Sequence, residues 1–401
     1  MDIGLQPGRP VADGCAAVAR PRHSCEPPGL AGPHGARPAT TEARVALKIG
    51  ILEGDDIGLE VVPECVKVMR VAAAKTGLAI DWRPVPIARK AHDDLGHTVP
   101  PGTLETLAAL DGWVLGPIGH REYPKNDPTW VNAHPLFRTH FQFFANYKPF
   151  RSYANLPSVH KGVDMLFLRE TTEGFKVDAN LFKGYGEFMP TEEVAIGVCV
   201  TTRTKSRLIA EAAFESARRR PRRKVTAVHK NTVYRMGDGL FADECRKVAA
   251  RYPDVAFDEV IVDTCALKLV MSPQQFDVIV TTNLYGDILT DEAAGLVGGL
   301  GLAPGLNASE TLAMAQATHG SAPDIAGKGI ANPYAMILSG KMLLDWLGLK
   351  RNEPKATAAA LAIDAAMDRV IAGARHLTRD LGGTAGTREM GDAVAEAVAK
   401  G

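Results

Sequence analysis

Two aspartates one helical turn apart are the residues whose spacing points most directly to chemistry. Asp287 and Asp291 follow a predicted buried strand that ends at Asn283. On a helix, positions i and i+4 lie on one face, so the two charges repel unless a cation or solvent separates them. Mg²⁺ and Mn²⁺ prefer such oxygen ligands. The pair is interpreted either as a divalent-metal site or as an N-cap with a first-turn acid.

Two further polar side chains lie at the ends of predicted strands. Asp263 closes the strand Glu259-Val-Ile-Val-Asp263, and Lys230 closes a strand in the run Val228-His-Lys-Asn231. Open α/β sheets bind ligands beyond the carboxyl ends of their strands. A ligand site there is one interpretation; a helix-capping Asp263 and a solvated Lys230 are the other.

Three cations are candidates for binding carboxylates. Arg138 and Lys148 lie in an aromatic segment at 136–149, and Arg169 follows a predicted buried strand. The planar fork of arginine matches a carboxylate, so three convergent cations would hold a di- or tricarboxylate. Independent surface cations remain the alternative.

A polar loop, His319-Gly-Ser-Ala-Pro-Asp-Ile-Ala-Gly-Lys-Gly-Ile-Ala-Asn332, leads into a predicted helix. Its small residues would let backbone approach a ligand, and an aspartate can hold a ribose diol. A turn-rich connection is the plain alternative. The segment Gly54-Asp-Asp-Ile-Gly58 matches neither a GxGxxG motif nor a P-loop. The basic run Arg218–Lys224 is interpreted as a solvated corner between a helix and a strand.

The alternation of apolar and polar segments predicts the scaffold for these residues. A buried strand at 45–52 is followed by a helix that Gly77 ends. Further strands are predicted at 79–87, 112–116, 163–169, 193–201, 224–230, 257–262 and 276–282. Helices are predicted at 203–220, 238–251, 284–298, 331–347, 354–373 and 387–400. This order favours an α/β fold with a mostly parallel, covered sheet.

The overall composition excludes several classes of protein. The 401 residues include 46 basic and 46 acidic side chains, so no net charge attracts nucleic acid or anionic lipid. No apolar run reaches the roughly 18 to 20 residues that span a bilayer. The six cysteines are scattered without a CxxC pair, which favours free thiols and a cytoplasmic location. We expect neither a nucleic-acid nor a membrane partner.

The first 43 residues differ in composition from the rest of the chain. They contain 6 Gly and 7 Pro, which leaves little periodic apolar surface and predicts a disordered leader at 1–43. Arg20, Arg22 and Arg37 keep a mitochondrial transit peptide open as an alternative, and four acidic residues in the segment count against it.

Three segments, in this order, resemble the β-decarboxylating dehydrogenases, the isocitrate/isopropylmalate dehydrogenase family. They are Glu53-Gly-Asp-Asp-Ile-Gly58, Asn283-Leu-Tyr-Gly-Asp-Ile-Leu-Thr-Asp291 and His319-Gly-Ser-Ala-Pro-Asp324. The resemblance implies a two-domain, non-Rossmann α/β fold with a mixed, mostly parallel sheet. A large cofactor-side domain would comprise 44–143 and 298–401. A small domain, 144–297, would carry substrate and metal residues and the interface of a homodimer.

The resemblance also implies roles for single residues. Arg138, Lys148 and Arg169 would bind the malate-type backbone of the substrate. Asp287 and Asp291 would bind Mg²⁺ or Mn²⁺. The partner subunit would add Asp263 to this metal site, together with Lys230 as the base.

The cofactor implied by the resemblance is NAD. Asp324 occupies the position of a ribose-binding acid, and its charge would repel the 2′-phosphate of NADP. His319 and Asn332 would contact adenosine. The complete set expected to bind the cofactor is His319, Gly320, Ser321, Ala322, Asp324, Asn332 and Asn283.

The sequence departs from the family pattern at three positions. Lys176 stands where a tyrosine is usual, Lys148 replaces an arginine, and Thr171 replaces an asparagine. Lys176 would act as the catalytic acid or bind an extra carboxylate; otherwise it is an exposed side chain. Asn132 and His134 precede Arg138, the first of the three cations expected to bind the substrate. In the family, residues at these positions contact the variable group of the substrate, and here they suggest a polar or acidic γ-substituent.

The expected function is NAD- and divalent-metal-dependent oxidative decarboxylation of a 2-hydroxy acid of the malate type. The alternative is a catalytically impaired regulatory or binding subunit on the same fold, suggested by the three departures. Nucleic-acid binding through Arg218–Lys224 is a third, weaker hypothesis.

Overall fold

Strands and helices alternate along most of the chain, and ten of the strands form one sheet. The computed structural model describes residues 46–176, 178, 180–181 and 184–401, so the predicted leader at 1–43 lies outside it. The strands are β1 (Leu47–Leu52), β2 (Ile80–Pro84), β3 (Gly112–Leu115), β4 (Ala145–Arg151), β5 (Asp164–Glu170), β6 (Glu187–Thr191), β7 (Val194–Gly197), β8 (Lys224–His229), β9 (Ala256–Ile261), β10 (Val278–Thr281), β11 (Leu306–Ala308) and β12 (Ala313–Ala315).

Eleven α-helices within the described residues cover this sheet. They are α1 (Gly58–Thr76), α2 (Ala88–Leu95), α3 (Thr103–Ala108), α4 (Ala133–His140), α5 (Arg203–Arg218), α6 (Gly237–Ala249), α7 (Val262–Met271), α8 (Asn283–Val297), α9 (Tyr334–Lys350), α10 (Pro354–Gly373) and α11 (Thr387–Lys400). No helix in this part of the chain is long and apolar enough to span a bilayer.

The strand order in the large sheet is β2-β1-β3-β12-β11-β4-β5-β10-β8-β9, while β6 and β7 form a separate antiparallel pair. Both ends of the large sheet are parallel, and the three antiparallel pairings lie together at its centre, between β12 and β5. The predicted α/β class with a mixed, mostly parallel sheet is therefore confirmed.

The central pairing of β4 with β11 places polar and apolar side chains on opposite faces. Asn146 pairs in register with Asn307, and the next pair is Tyr147 with Leu306. Successive side chains of a strand point to opposite faces, so the two asparagines line one cavity, and Tyr147 and Leu306 line another behind the sheet.

Apolar burial holds helices to both faces of the sheet. One core joins β1 to α1, α9, α10 and α11 through residues such as Ile49, Met69 and Leu344. Two more cores flank β5 and β10, with Phe214 of α5 on one face and Leu289 of α8 on the other. Helix α8, which carries the predicted metal residues, is thus fixed by its apolar side.

Several elements differ from those predicted. The segment 193–201, predicted as one strand, contains β7 at Val194–Gly197, which pairs with the unpredicted β6. Helix α7 follows β9 without a loop, so no turn residue marks its start. Strands β11 and β12 have three residues each, too few for a periodic pattern. Strand β4 alternates polar and apolar residues and has no continuous apolar run.

The run Arg218–Lys224 lies at the predicted corner between α5 and β8, and five of its seven residues are exposed. Arg220 Nε donates to Asp277 Oδ1 at 2.5 Å, and the Asp277 side chain is only 1% exposed. Arg218 forms hydrogen bonds with Asp254, and Arg219 donates to both carboxylate oxygens of Asp345 on α9. Asp277 is a buried carboxylate and therefore requires a cationic partner. These three acids are remote in sequence from the arginines with which they pair.

Candidate active site

Two adjoining cavities bring most of the predicted site residues together. Their volumes are about 730 Å³ and 420 Å³, and both are lined by His134, Arg138, Arg169 and Asp287. The larger extends to Lys148, Asp291 and the loop that begins at His319. The smaller extends to Asn132, Lys176 and Asn283.

Arg138 and Lys148 present positive charge to the larger cavity without a carboxylate partner among the described residues. Arg138 Nε donates to Asn307 Oδ1 at 3.1 Å, and this contact leaves its two terminal nitrogens available. Burial, together with the nearby charge of Arg169, lowers the pKa of Arg138 to about 10. A guanidinium in this position is stabilised when an anion binds.

Lys148 is almost fully buried on β4. Its Nζ donates to Thr290 Oγ1 at 2.8 Å. Burial lowers the pKa of Lys148 to about 7, and the charges of Arg169 and Arg138 act in the same direction. An anion bound beside Lys148 would favour the charged form of its amine.

Arg169 is bound to the first turn of α8. Its Nε donates to the Asn283 carbonyl at 2.8 Å, its Nη2 donates to Asn283 Oδ1 at 2.7 Å, and its Nη1 pairs with Asp287. A Cβ at Gly286 would lie 2.5 Å from Arg169 Cγ, so the glycine is needed for this close approach. Burial lowers the pKa of Arg169, and Asp287 opposes that shift.

The two acids on α8 have the chemistry of a partial metal site. Asp287 and Asp291 are both exposed, and both line the larger cavity from one face of the helix. They provide hard oxygen donors that suit Mg²⁺ or Mn²⁺. The described part of a single chain contains no group of three or more His, Cys, Asp or Glu side chains arranged to hold a metal. The pair thus fits a cation as two ligands of a larger set.

Lys230 and Asp263 lie outside both cavities of their own chain. Lys230 Nζ donates to Asp263 Oδ1 at 2.5 Å, and the Asp263 side chain is 61% exposed. This hydrogen bond lowers the pKa of Asp263. Asp263 lies in the first turn of α7, just beyond the end of β9, and Lys230 follows β8 directly.

Lys176 lines the smaller cavity, where it faces Arg169 and Asp287. Its ammonium forms an ion pair with Asp178 at 3.0 Å. Thr171, the other departure in this segment, donates its hydroxyl to the Phe143 carbonyl at 2.6 Å. Thr171 thus fixes backbone, while Lys176 contributes an ammonium group to the wall of the smaller cavity.

Asn132 and His134 mark the start of α4. The Asn132 carboxamide caps the helix by accepting from the His134 backbone N–H at 3.1 Å. Burial lowers the pKa of the His134 imidazole to about 3, so the ring is neutral at physiological pH. Both residues line the smaller cavity, and His134 also lines the larger one.

The loop from His319 closes the far side of the larger cavity. His319, Gly320, Ser321 and Ala322 all line it. Within the described structure, His319 Nε2 and the Thr318 hydroxyl are buried without a hydrogen-bond partner. Buried polar atoms normally have partners, so these two atoms fit a polar ligand such as a nucleotide.

The other residues expected to bind the cofactor are more dispersed. Asp324 is exposed just beyond Pro323, which lines the cavity, and its carbonyl accepts from Lys328 Nζ. Asn332 donates to Asp380 at 2.8 Å. Asn283 lies beside Arg169 in the smaller cavity.

Sequence reasoning missed four polar residues that support the cations. Asn146, Asn307 and Gln316 line the larger cavity, and Thr290 accepts the hydrogen bond from Lys148. Asn307 is fully buried. Polar residues within short apolar segments are the signal that could have identified them, since buried polar groups usually have specific partners.

Comparison with known proteins identifies a family that matches most of this chain. The family model for isocitrate/isopropylmalate dehydrogenase matches residues 48–394. The isocitrate/homoisocitrate dehydrogenase of Thermus thermophilus is 40% identical over 354 residues, which cover 88% of this chain and 99% of that protein. The 3-isopropylmalate dehydrogenase of Methanothermobacter thermautotrophicus is 37% identical over 350 residues, covering 87% of this chain and 98% of that protein.

A solved structure gives the same assignment. The crystal structure of isocitrate dehydrogenase from Methylococcus capsulatus matches with a TM-score of 0.76 and 37% sequence identity. The match covers 88% of this chain and 99% of that chain. The chain therefore belongs to the isocitrate/isopropylmalate dehydrogenase family.

Proposed function

We propose that the protein catalyses NAD-dependent oxidative decarboxylation of a malate-type 2-hydroxy acid with Mg²⁺ or Mn²⁺. The observation that carries this proposal is the composition of one cavity wall. Arg138 and Lys148 face the cavity without a carboxylate partner among the described residues, and Asp287 and Asp291 face it from α8. Such a wall suits a polyanion and a divalent cation side by side.

Each group has a role that follows from its chemistry. Arg138, Lys148 and Arg169 would bind the substrate carboxylates, and Asp287 and Asp291 would hold the metal. When bound, the metal polarises the substrate hydroxyl and NAD⁺ accepts the hydride. Lys176 would donate the proton that completes decarboxylation at the enol carbon.

The base would come from a second copy of the chain. Lys230 with Asp263 would take the hydroxyl proton, and Asp263 would also contribute to the metal site across the homodimer. Large exposed apolar residues surround these two residues and α8: Tyr234, Met236, Leu267 and Ile288 are 52%, 90%, 59% and 61% exposed. An apolar surface of this kind supports burial against another subunit.

The cofactor would occupy the lobe formed by 44–143 and 298–401, with 144–297 as the second lobe. The unpartnered atoms of Thr318 and His319 support a nucleotide there, and the charge of Asp324 favours NAD over NADP. A cytoplasmic location is supported by Cys65, Cys199, Cys245 and Cys265, which are free thiols.

A substrate panel tests the proposal. Purified protein with Mn²⁺ and NAD⁺ is assayed for NADH and CO₂ with isocitrate, isopropylmalate, homoisocitrate, tartrate and malate. We expect one substrate to yield equal amounts of both products, and NADP⁺ to support a lower rate. Absence of NADH with every substrate would contradict the proposed activity.

A second candidate is a regulatory or binding subunit on the same fold. Two observations favour it: the buried Lys148 in place of the arginine, and the pairing of Lys176 with Asp178. Calorimetry separates the two functions. Binding of NAD⁺ and a dicarboxylate without any turnover would support the regulatory subunit.

A further inference from the structure

A directional chain of hydrogen bonds runs behind the predicted substrate residues. Arg138 Nε donates to Asn307 Oδ1 at 3.1 Å, and Asn146 Nδ2 donates to the same oxygen at 3.2 Å. Asn307 Nδ2 donates to Gln316 Oε1 at 3.3 Å, and Gln316 Nε2 lies 2.7 Å from His134 Nε2.

The chemistry of Arg138 fixes the direction of the whole chain. A guanidinium nitrogen only donates, so the Asn307 atom beside it must be the carbonyl oxygen. The Asn307 amide nitrogen then faces Gln316, which must accept through Oε1 and donate through Nε2. His134 therefore accepts at Nε2 and is held as the neutral tautomer protonated at Nδ1.

The other end of the chain lies near the backbone of Gly116, which follows β3 directly. This neighbour favours protonation of the imidazole, but burial outweighs it and lowers the pKa of His134 to about 3. The groups beside the imidazole that can carry charge are Arg138 and His120, and both oppose its protonation. Nε2 is thus engaged with Gln316, and the ring borders the cavity in its neutral form.

We propose that Asn307 is a positioning residue that aims the Arg138 guanidinium at the substrate and, through Gln316, holds His134 neutral beside it. This inference rests on the proposed function, because it explains the orientation of Arg138, one of the three cations proposed to bind the substrate carboxylates. By occupying Nε, Asn307 turns the terminal nitrogens of Arg138 towards the anion. Asn307 lies on β11 and pairs in register with Asn146 on β4, so the strand pairing fixes the position of its side chain.

The first test changes Asn307 and measures anion binding. Malate is titrated by calorimetry in the presence of Mg²⁺ and without NAD⁺, so that no turnover is needed. Asn307→Ala removes the acceptor, and we expect the Kd to rise about tenfold. Asn307→Asp has the same shape but places a carboxylate against Arg138. It would compete with the ligand and raise the Kd further. Asn352→Asp, the same change at an exposed turn, is expected to leave the Kd unchanged.

Kinetics and melting separate positioning from a structural role. If a substrate is turned over, KM should rise in both Asn307 variants while kcat falls less. The melting temperature of Asn307→Ala should also fall, because Arg138, Asn146 and Gln316 each lose a hydrogen-bond partner. Wild-type Kd in both variants would overturn the proposal. A large drop in melting temperature with unchanged binding would overturn it too.

The second test reverses one link of the chain. In Gln316→Glu both side-chain oxygens only accept, so His134 must carry a proton on Nε2 to keep its partner. NMR of protein labelled with [¹³C]histidine, with His134→Gln for assignment, reads this proton directly. We expect the His134 signal to titrate between pH 5 and pH 8 in Gln316→Glu and to remain neutral over that range in the wild type.

A His134 signal that is identical in the two proteins would overturn the proposed direction. This readout needs neither substrate nor cofactor. A protein that binds malate but turns over no member of the panel would contradict the proposed function and leave the inference about Asn307 intact.

Discussion

Gly286 and Arg169 are in van der Waals contact, and a Cβ at position 286 would lie 2.5 Å from Arg169 Cγ. The contact lets the arginine lie along the first turn of α8, where it reaches Asn283 and Asp287. One missing side chain thus sets the distance between a predicted substrate cation and the predicted metal site.

Gly286→Ala is therefore predicted to displace Arg169. Arg169 donates two hydrogen bonds to Asn283 and forms an ion pair with Asp287. Its movement should therefore disturb Asp287 as well. We expect kcat/KM to fall at least tenfold. Steady-state kinetics and malate calorimetry measure the effect.

Gly295→Ala on the same helix is the matched control. Nothing lies within 4 Å of a Cβ built at Gly295. Alanine there should raise stability by about 0.5 to 1 kcal/mol through helix propensity and leave kinetics unchanged. Equal kinetics for the two alanine variants would show that Arg169 tolerates the change.

Lys148 is predicted to make anion binding depend on pH. Burial, with Arg169 and Arg138, lowers its pKa to about 7. The ammonium predominates below that pH and binds a carboxylate, whereas the neutral amine above it does not. Calorimetric titration with malate should give a Kd that rises by up to about tenfold per pH unit above pH 7.

Lys148→Arg is the corresponding control, since arginine keeps its charge throughout this range. Its Kd should be nearly independent of pH between 7 and 9. If wild type and variant show the same slope, another group is responsible for the pH dependence.

Local patterns predicted the residues that carry charge and left out those that orient them. The i, i+4 spacing placed Asp287 and Asp291 on one helix face, and the structure has them on one wall of a cavity. The convergence of Arg138, Lys148 and Arg169 depends on three separate elements. It was open from the sequence alone, and the structure brings the three together.

The supporting residues could not be predicted because they depend on strand register. Asn307 lies on a strand of three residues, and its partners Arg138 and Gln316 come from α4 and from just beyond β12. The acids that neutralise Arg218–Lys224 are likewise remote in sequence. A one-residue shift in register would turn Asn307 to the opposite face of the sheet.

Lys176 is predicted to supply the final proton. It lines the smaller cavity together with Asp287, and its ammonium forms an ion pair with Asp178 at 3.0 Å. For the substrate that the enzyme oxidises and decarboxylates, Lys176→Ala should lower kcat by about 10² or more. Simultaneous measurement of NADH and CO₂ shows whether hydride transfer survives the loss.

Lys176→Tyr supplies a different acid at the same place and should recover part of the rate. Asp178→Asn removes only the ion pair and should have a smaller effect than Lys176→Ala. A wild-type kcat in Lys176→Ala would show that Lys176 does not donate the proton.

Shared active sites are predicted from the position of Lys230, which lies outside both cavities of its own chain with Asp263 at 2.5 Å. Lys230→Ala and Arg138→Ala should each be inactive alone. If a two-fold dimer exchanges these residues, a mixed dimer has one intact site, made of Arg138 from one chain and Lys230 from the other. Random reassembly of the two variants after mild denaturation should recover about one quarter of wild-type activity, measured as NADH formation.

Lys230→Ala mixed with Asp263→Ala is the control, because both residues come from the same subunit at each site and no intact site can form. Recovery in this control equal to that of the first mixture, or no recovery in either, would mean that Lys230 does not act across the dimer.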